Sequence, residues 1–174
     1  MWAFSNIVSL GRSMAEQAVS LPTHDDVHNT LSNCATFSLR KASRLTTQMF
    51  DEALAPCGLR STQLIILATL FLNENIRLSE LARQLVLSPS TLSRNLKPLM
   101  RDGLVETVLD QARQRKVSLT NDGAELLRKS LPHWKAAQMK FVLSIGAPIW
   151  KDLSPLLRHS IENIQIENND TGAA

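Results

Sequence analysis

The sequence predicts a mainly α-helical protein with one small β-hairpin wing, and three observations predict it. Apolar residues recur every three to four positions along most of the 174-residue chain, which is the period of amphipathic helices. Glycine is scarce, with six in all, and tyrosine is absent, which disfavours a loop-rich β fold. The period changes to two only between Leu104 and Thr120, where we expect the hairpin.

Composition limits the class of protein further. An apolar content of 44% is enough for a sizeable core. Two cysteines, Cys34 and Cys57, cannot form a disulfide framework, and no basic segment precedes the first apolar residues. No apolar run has the length of a membrane span. We therefore expect a cytoplasmic protein with no membrane partner.

The N-terminal part is predicted as an arm followed by one long helix. Residues 1–26 form the arm, which is either a short amphipathic segment or a flexible extension. Residues 27–58 hold a helix from about Val27 to Ala55 that Pro56 and Gly58 end. At ~1.5 Å per residue this helix would be ~44 Å long, which exceeds one face of a small core. Part of it is expected to pack on a partner.

Residues 59–120 are predicted to form a separate domain that begins with three helices. Ser61, Ser79 and Ser88 are the expected N-caps, and Pro89 occupies a first helical position where its missing N–H costs nothing. The run QLIILATLFL in the first helix is apolar nearly all round and is expected to be buried. Gly103 ends the third helix.

The hairpin and two C-terminal helices complete the chain. LVETVL and RKVSLT alternate in polarity around the polar tip DQARQ. Thr120 is the expected N-cap of a helix that runs to about Leu143, with Pro132 as a bend, and a last helix follows. Residues 121–166 therefore hold the C-terminal helices, and 167–174 are expected to be a disordered tail.

Positive charge is concentrated in one segment. The whole chain carries +3, whereas residues 77–116 hold eight basic against four acidic residues, a net +4. The basic residues are Arg77, Arg83, Arg94, Lys97, Arg101, Arg113, Arg115 and Lys116. A localised excess fits a phosphate-binding face, although a solvated charged surface has the same pattern.

Helix, short turn, helix and hairpin is the order of a winged helix-turn-helix. In such a domain the second helix presents its N-terminal turns to the major groove, where small and hydrogen-bonding side chains contact the DNA. The candidate DNA-binding residues are Ser88, Ser90, Thr91, Arg94, Asn95 and Lys97 on that helix, with Arg113, Arg115 and Lys116 on the wing.

Three blocks carry a specific resemblance. GLRSTQLIILATL, LSELARQLVLSPSTLSRNLKPLMRDGLVE and RQRKVSLTNDG resemble successive segments of the MarR family of winged-helix transcriptional regulators, over roughly residues 30–165. The resemblance implies a DNA-binding repressor and a homodimer held by long N- and C-terminal helices. It also implies release from DNA by a small aromatic or phenolic effector in the crevice between the dimer helices and the DNA-binding domain.

The resemblance also assigns roles to residues. Ser90, Thr91 and Arg94 match the groove-reading positions, and Arg113 matches the arginine that enters the minor groove. Gln111 stands where the family has an acidic residue, and the wing is about two residues short, so its inner salt bridge is in doubt. Val86 replaces a glycine of the turn, which makes a left-handed backbone there costlier.

Pro98 lies in the second half of the groove-reading helix, after all the reading residues. Proline removes an N–H and clashes with the carbonyl four residues earlier, that of Arg94, at ~3 kcal/mol. We expect a bend over residues 94–98 that leaves the reading half intact, and Pro98→Ala tests it through operator affinity. Tolerated strain without a geometric role is the alternative.

Other functions remain as weaker hypotheses. One branch of the family senses peroxides through a cysteine, but that position aligns with Thr36 rather than Cys34, and the chain has no tyrosine beside it. His24 and His28 share a helical face without a third ligand. We expect no cofactor and no enzymatic activity, since no catalytic motif is present. A winged-helix module that binds protein instead of DNA is the principal rival.

Overall fold

A computed structural model describes residues 21–109 and 114–171 of the chain. By its contacts the chain divides into two units after Arg44, and each is described separately. Helix α1 spans His24–Ser32, and helix α2, which crosses the division, spans Ala35–Leu54. A 3-10 turn at Ala55–Cys57 follows α2 and ends at Gly58, whose φ of 68° is left-handed.

The first unit differs from the single helix predicted from Val27 to Ala55. Thr23 is an N-cap whose Oγ1 accepts from the Asp26 N–H at 3.2 Å, so α1 begins at His24, inside the predicted arm. Asn33 then ends α1, because its side-chain amide donates to the Asn29 carbonyl at 3.0 Å. The predicted helix is therefore two helices with a break at Asn33 and Cys34.

The second unit carries the remaining elements. They are α3 (Ser61–Leu72), β1 (Ile76–Arg77), α4 (Leu78–Gln84), α5 (Pro89–Arg101), β2 (Val105–Leu109), β3 (Arg115–Leu119), α6 (Asn121–Ile145) and α7 (Ala147–Thr171). The predicted hairpin, the Ser88 cap and the Thr120 cap are confirmed. Residues 167–171, predicted as a disordered tail, belong to α7.

Two predicted caps are displaced by one or two residues. Arg60, not Ser61, caps α3; its N–H donates to the Gln63 side chain at 2.9 Å, while the buried Ser61 N–H donates to Asp51 Oδ1 at 2.6 Å. Arg77, not Ser79, is the cap residue of α4, and its side chain makes no capping bond. Helix α4 begins earlier than predicted because β1 directly precedes it.

The sheet has three antiparallel strands in the order β1-β3-β2. Strand β1 was not predicted, because two residues are too few to show a period. Its register sets Ile76 opposite Val117 and Arg77 opposite Lys116. Ile76 and Val117 are buried, so one face of the sheet joins the core.

The core of the second unit lies between this sheet and helices α3 to α6. Its buried residues are apolar and come from every one of these elements. Leu54 and Leu59, which precede α3 in the chain, also belong to it. The others are Leu64, Ile66, Leu67, Leu70, Ile76, Leu81, Ala82, Leu92, Leu96, Leu99, Val105, Val117 and Leu127. Helix α3 was expected to be buried all round, but Phe71 and Leu72 are 62% and 80% exposed. The C-terminal end of α3 therefore leaves apolar surface uncovered.

The base of the wing is fixed to α6 by Thr120. Its hydroxyl donates to the Gly103 carbonyl at 2.7 Å and accepts from the Gly123 N–H at 3.1 Å. Gly123 is buried against the Leu104 carbonyl, where a Cβ would have no room. These contacts hold the hairpin close to the end of α5.

Candidate nucleic-acid interface

The N-terminus of α5 is organised by its cap. Ser88 has an extended backbone, and its Oγ accepts from the Thr91 N–H at 3.2 Å. The hydroxyl oxygens of Ser90 and Thr91 lie 3.1 and 2.8 Å from Ser88 Oγ. Three hydroxyls are thus gathered at the first turn. Because the cap occupies Ser88, Ser90 and Thr91 retain more capacity to bond an external group.

The two faces of α5 have different compositions. Leu92, Leu96 and Leu99 are buried on one face. Ser90, Arg94 and Lys97 follow one another at helical spacing on the exposed side, and Thr91 and Asn95 are half-buried at its edge. The helical candidates predicted from the sequence are therefore brought together on one surface.

Pro98 lies inside a helix that is continuous from Pro89 to Arg101. The Pro98 carbonyl accepts from the Asp102 N–H at 3.0 Å, so the helix is intact after the proline. Proline has no N–H to offer to the Arg94 carbonyl. The predicted bend over residues 94–98 stays a prediction.

Charge on α4 and α5 is divided between neutralised and uncompensated groups. Arg83 binds Glu80 through two bonds of 3.0 and 2.6 Å, and Arg101 binds Asp102 through two of 2.8 and 3.2 Å. The hydrogen bonds from these arginines lower the pKa of both carboxyls. Arg94 and Lys97 make no ion pair within the described residues. Uncompensated positive charge therefore lies on the exposed face of α5.

The turn between α4 and α5 is strained at Val86. Its φ is +52°, a left-handed conformation that costs a β-branched residue more than glycine. The turn thus has the left-handed backbone that was expected to be costlier for valine than for glycine. The Val86 N–H donates to the Arg83 carbonyl at 3.2 Å and the Leu87 N–H to the Ala82 carbonyl at 2.9 Å, so the turn is tightly bonded and sets the angle between the helices.

The wing separates two of its predicted contacts. Arg115 and Lys116 are consecutive in β3, so their side chains leave opposite faces of the sheet. Arg115 is exposed and Lys116 is half-buried. Arg113, Gln111 and the rest of the wing tip lie outside the described residues. Lys116 shares its face with Arg77, a residue that was not among the predicted sites because β1 was not predicted.

An apolar groove of about 590 Å³ lies between α3 and α6. Phe71 and Leu72 from α3 and Leu131 and Trp134 from α6 supply its aromatic and aliphatic walls. Arg128 also lines it and binds Glu125 through two bonds of 2.8 Å. Phe141 of α6 and Trp150 of α7 contact each other edge to face, with ring centroids 5.3 Å apart.

The cysteines and histidines form no chemical site that the structure describes. Cys34 and Cys57 are free, half-buried thiols. The rings of His24 and His28 are stacked with centroids 6.4 Å apart. Within residues 21–109 and 114–171 no three His, Cys, Asp or Glu side chains are close enough to hold a metal ion.

None of the described helices is by itself long and apolar enough to cross a membrane. Ala35–Cys57 and Ser61–Leu72 reach the necessary length and hydropathy only when taken together across the bend between them.

A helix-turn-helix with a three-stranded wing, whose second helix exposes hydroxyls and uncompensated positive charge, defines a winged-helix DNA-binding protein. Comparisons with known proteins agree. The sequence model of the MarR family matches residues 59–116. The organic hydroperoxide resistance transcriptional regulator of Bacillus subtilis (strain 168) is 30% identical over 106 residues, which are 60% of this chain and 72% of the relative.

Solved structures give the same result. The transcriptional regulator MosR of M. tuberculosis in complex with DNA is 34% identical, with a TM-score of 0.64 over 75% of this chain and 98% of that one. CouR from Rhodococcus jostii RHA1 bound to p-coumaroyl-CoA shares the fold at 22% identity, with a TM-score of 0.64 over 78% of this chain and 94% of that one. The protein belongs to the MarR family of transcriptional regulators.

Proposed function

We propose that this protein is a dimeric, cytoplasmic transcriptional repressor that binds a near-palindromic operator through α5 and the wing. The observation that carries the proposal is the exposed face of α5, where Ser90, Arg94 and Lys97 lie together without a carboxylate partner in the described residues. Hydroxyls and guanidinium groups bond base edges in the major groove. Nothing in this arrangement resembles a catalytic site.

Each predicted contact takes a specific role. Ser90, Thr91 and Arg94 read bases, and Ser88 holds the first turn of α5 in place. Asn95, Lys97, Arg115 and Lys116 contact the backbone or groove edge, and Arg113 enters the minor groove. These assignments combine groove-facing position with the chemistry of each side chain.

A second copy of the chain accounts for the apolar residues that the long helices expose. On α7, Ile149, Leu153, Leu156, Ile161 and Ile164 are exposed at helical spacing. Val27, Leu31, Phe37 and Leu39 are exposed on α1 and α2. A two-fold dimer would bury such residues and place two reading helices about 34 Å apart, in successive major grooves.

The groove between α3 and α6 is the candidate effector site. The CouR structure contains p-coumaroyl-CoA, an aromatic thioester, and a small aromatic or phenolic anion suits a groove with Phe71 and Trp134 in its walls and Arg128 beside them. Such a ligand would regulate binding if its affinity differed between the DNA-bound and free conformations. Titration of p-coumarate or salicylate into the protein–DNA complex tests release, with benzyl alcohol as the uncharged control.

The test of DNA binding is fluorescence-anisotropy titration onto duplex from upstream of the protein's own gene, across a salt series. Arg94→Ala is the informative variant, and Arg101→Ala is its matched control, because it removes the same charge from the same helix at a residue bound to Asp102. We expect Arg94→Ala to lose about 1–3 kcal/mol of specific binding and Arg101→Ala to lose much less.

The same titration distinguishes the proposed DNA-binding regulator from the principal alternative, a module that binds protein. Neutralising phosphates releases counterions, so DNA affinity falls steeply with salt. A winged-helix module that binds protein has no such requirement. Failure of the native protein to bind any duplex at low salt would overturn the regulator in favour of that module, whereas equal affinity for random duplex would exclude autoregulation only.

A further inference from the structure

Three hydroxyl groups at the start of α5 are connected through Ser88. The Ser88 Oγ accepts from the Thr91 N–H at 3.2 Å, and it lies 3.1 Å from Ser90 Oγ and 2.8 Å from Thr91 Oγ1. Ser90 is exposed, and Thr91 is half-buried at the edge of the same surface. Ser88 therefore contacts both of the small residues that are proposed to read bases.

The Ser88 hydroxyl has a fixed bonding capacity. A hydroxyl group has one proton to donate and two lone pairs that accept. The Thr91 N–H takes one lone pair of Ser88, which leaves one lone pair and one proton for the other two hydroxyls. When both contacts are hydrogen bonds, Ser88 must therefore donate to one of Ser90 and Thr91 and accept from the other.

This arrangement makes Ser90 and Thr91 present different chemistry to DNA. The hydroxyl that donates to Ser88 has no proton left, so it can only accept a hydrogen bond from a base. The hydroxyl that accepts from Ser88 keeps its proton and can donate it to a base. The two residues can exchange these roles, but they cannot both donate to DNA unless a bond to Ser88 is broken.

The two purine bases differ in this respect at their major-groove edges. Adenine presents one acceptor, N7, and one donor, the N6 amino group, whereas guanine presents two acceptors, N7 and O6. One donating and one accepting hydroxyl fit adenine. Against guanine, the oxygen of the accepting hydroxyl would face the O6 oxygen with no proton between them.

We propose that Ser88 is a positioning residue that selects adenine over guanine where Ser90 and Thr91 contact the operator. A serine or threonine hydroxyl that is not coupled to another group rotates to donate or to accept, and it therefore discriminates poorly between bases. The bonds to Ser88 combine two such groups into one donor and one acceptor. The inference rests on the proposed DNA-binding function and adds to it the base that the hydroxyl pair prefers.

The first experiment selects bound duplexes from a pool with a randomised segment, using the native protein, Ser90→Ala and Arg94→Ala. The base pair read by the hydroxyl pair is the one whose identity Ser90→Ala relaxes and Arg94→Ala does not. We expect adenine as the purine of that base pair. Its replacement by guanine should lower the affinity of the native protein about tenfold.

Modified purines at the same position test whether the major-groove edge is read. Hypoxanthine has the major-groove edge of guanine without the minor-groove amino group, so it should be rejected as guanine is. Diaminopurine has the major-groove edge of adenine with an added minor-groove amino group, so it should be accepted as adenine is. Acceptance of hypoxanthine, or rejection of diaminopurine, would contradict the inference.

Ser88→Gly and Ser88→Thr are the matched variants. Glycine and threonine are about equally favourable as N-caps, so α5 should lose the same small amount of stability in both proteins, which thermal unfolding checks. Threonine retains the hydroxyl and should keep the preference for adenine. Glycine removes the hydroxyl and should leave a preference of less than about threefold.

The outcomes distinguish this inference from the proposed function. If the native protein selects a defined sequence but Ser90→Ala relaxes no position, or relaxes one that carries guanine, the inference is wrong and the proposed function stands. The inference is equally wrong if Ser88→Gly keeps the preference of Ser88→Thr, because Ser88 then only caps the helix. A native protein that selects no sequence would overturn the sequence-specific function and this inference together.

Discussion

The winged domain and helix α7 contain similar apolar side chains, but these side chains are buried in the domain and exposed on the helix. Leu67, Leu92 and Leu99 are at most 1% exposed in a core built from every element between α3 and α6. Helix α7 is as rich in isoleucine and leucine, yet among its described side chains, up to residue 165, none is buried. The first set stabilises one chain by itself, whereas most of the second set remains exposed in one chain and is available to a larger assembly.

Truncation of one buried leucine and one exposed leucine tests this difference most directly. Leu67→Ala removes a fully buried side chain and should lower the free energy of unfolding by about 2–5 kcal/mol at any protein concentration. Leu156→Ala, at a residue 63% exposed, should instead raise the dimer dissociation constant. Thermal unfolding at two protein concentrations and sedimentation equilibrium measure the two effects; the reverse assignment would contradict the comparison.

Gly123→Ala tests the joint between the wing and α6. An added Cβ would clash with the Leu104 carbonyl and lie 2.7 Å from Leu119 Cδ1. We expect a loss of about 1–3 kcal/mol in the free energy of unfolding. Gly58→Ala is a useful control because it has open space and suffers only from its left-handed φ. Equal losses in the two variants would show that contact with the wing is unimportant.

Val86→Gly should increase stability. Relief of the left-handed valine gains about 1–2 kcal/mol, and the added freedom of the unfolded chain offsets about 0.4–1 of it. Val86→Ala keeps the Cβ and should gain less. The measurement is chemical denaturation of all three proteins. A destabilised Val86→Gly protein would mean that the exposed valine side chain contributes more than its backbone costs.

The smallest expected effect concerns Glu125. Hydrogen bonds from Arg128 lower its pKa to about 2. Because the folded pKa is below the ordinary value of 4.5, the pair contributes stability above about pH 4.5 and loses it as the pH falls toward 2. Both partners are exposed, so the contribution is small. Thermal melts should show Glu125→Gln below the native protein at pH 6 and level with it near pH 2.

Glu162→Gln is the control for that series. Glu162 makes no ion pair among the described residues and lies on the exposed surface of α7. The difference between native protein and this variant should not depend on pH in the same window. A pH-dependent difference of equal size would assign the effect to net charge rather than to the Arg128 pair.

The parts of the fold predicted correctly are those that local chemistry determines. The start of α5 is predicted by Ser88 and Pro89, and the start of α6 by Thr120. Alternation of polar and apolar residues predicts β2 and β3. The starts of α3 and α4 were misplaced because tertiary structure decides them. Asp51 accepts the Ser61 N–H, and pairing of β1 with β3 precedes α4.

The candidate site was likewise predicted only where local sequence determines it. Helical spacing was enough to group Ser90, Arg94 and Lys97, since one helix carries all three. Arg77 belongs beside Lys116 only through strand pairing between residues almost forty positions apart, which no local pattern reveals. The break at Asn33 was missed because apolar spacing continues across it on both sides.

The proposed function requires that two chains bind one duplex, because the exposed apolar helices form the dimer and each winged domain contacts the DNA. Sedimentation equilibrium of fluorescently labelled operator duplex with excess protein measures this stoichiometry. We predict a bound protein mass of two 19.3-kDa chains per duplex, with no complex of one chain at partial saturation. A stable complex of one chain per duplex, with unchanged affinity in Leu156→Ala, would contradict the account.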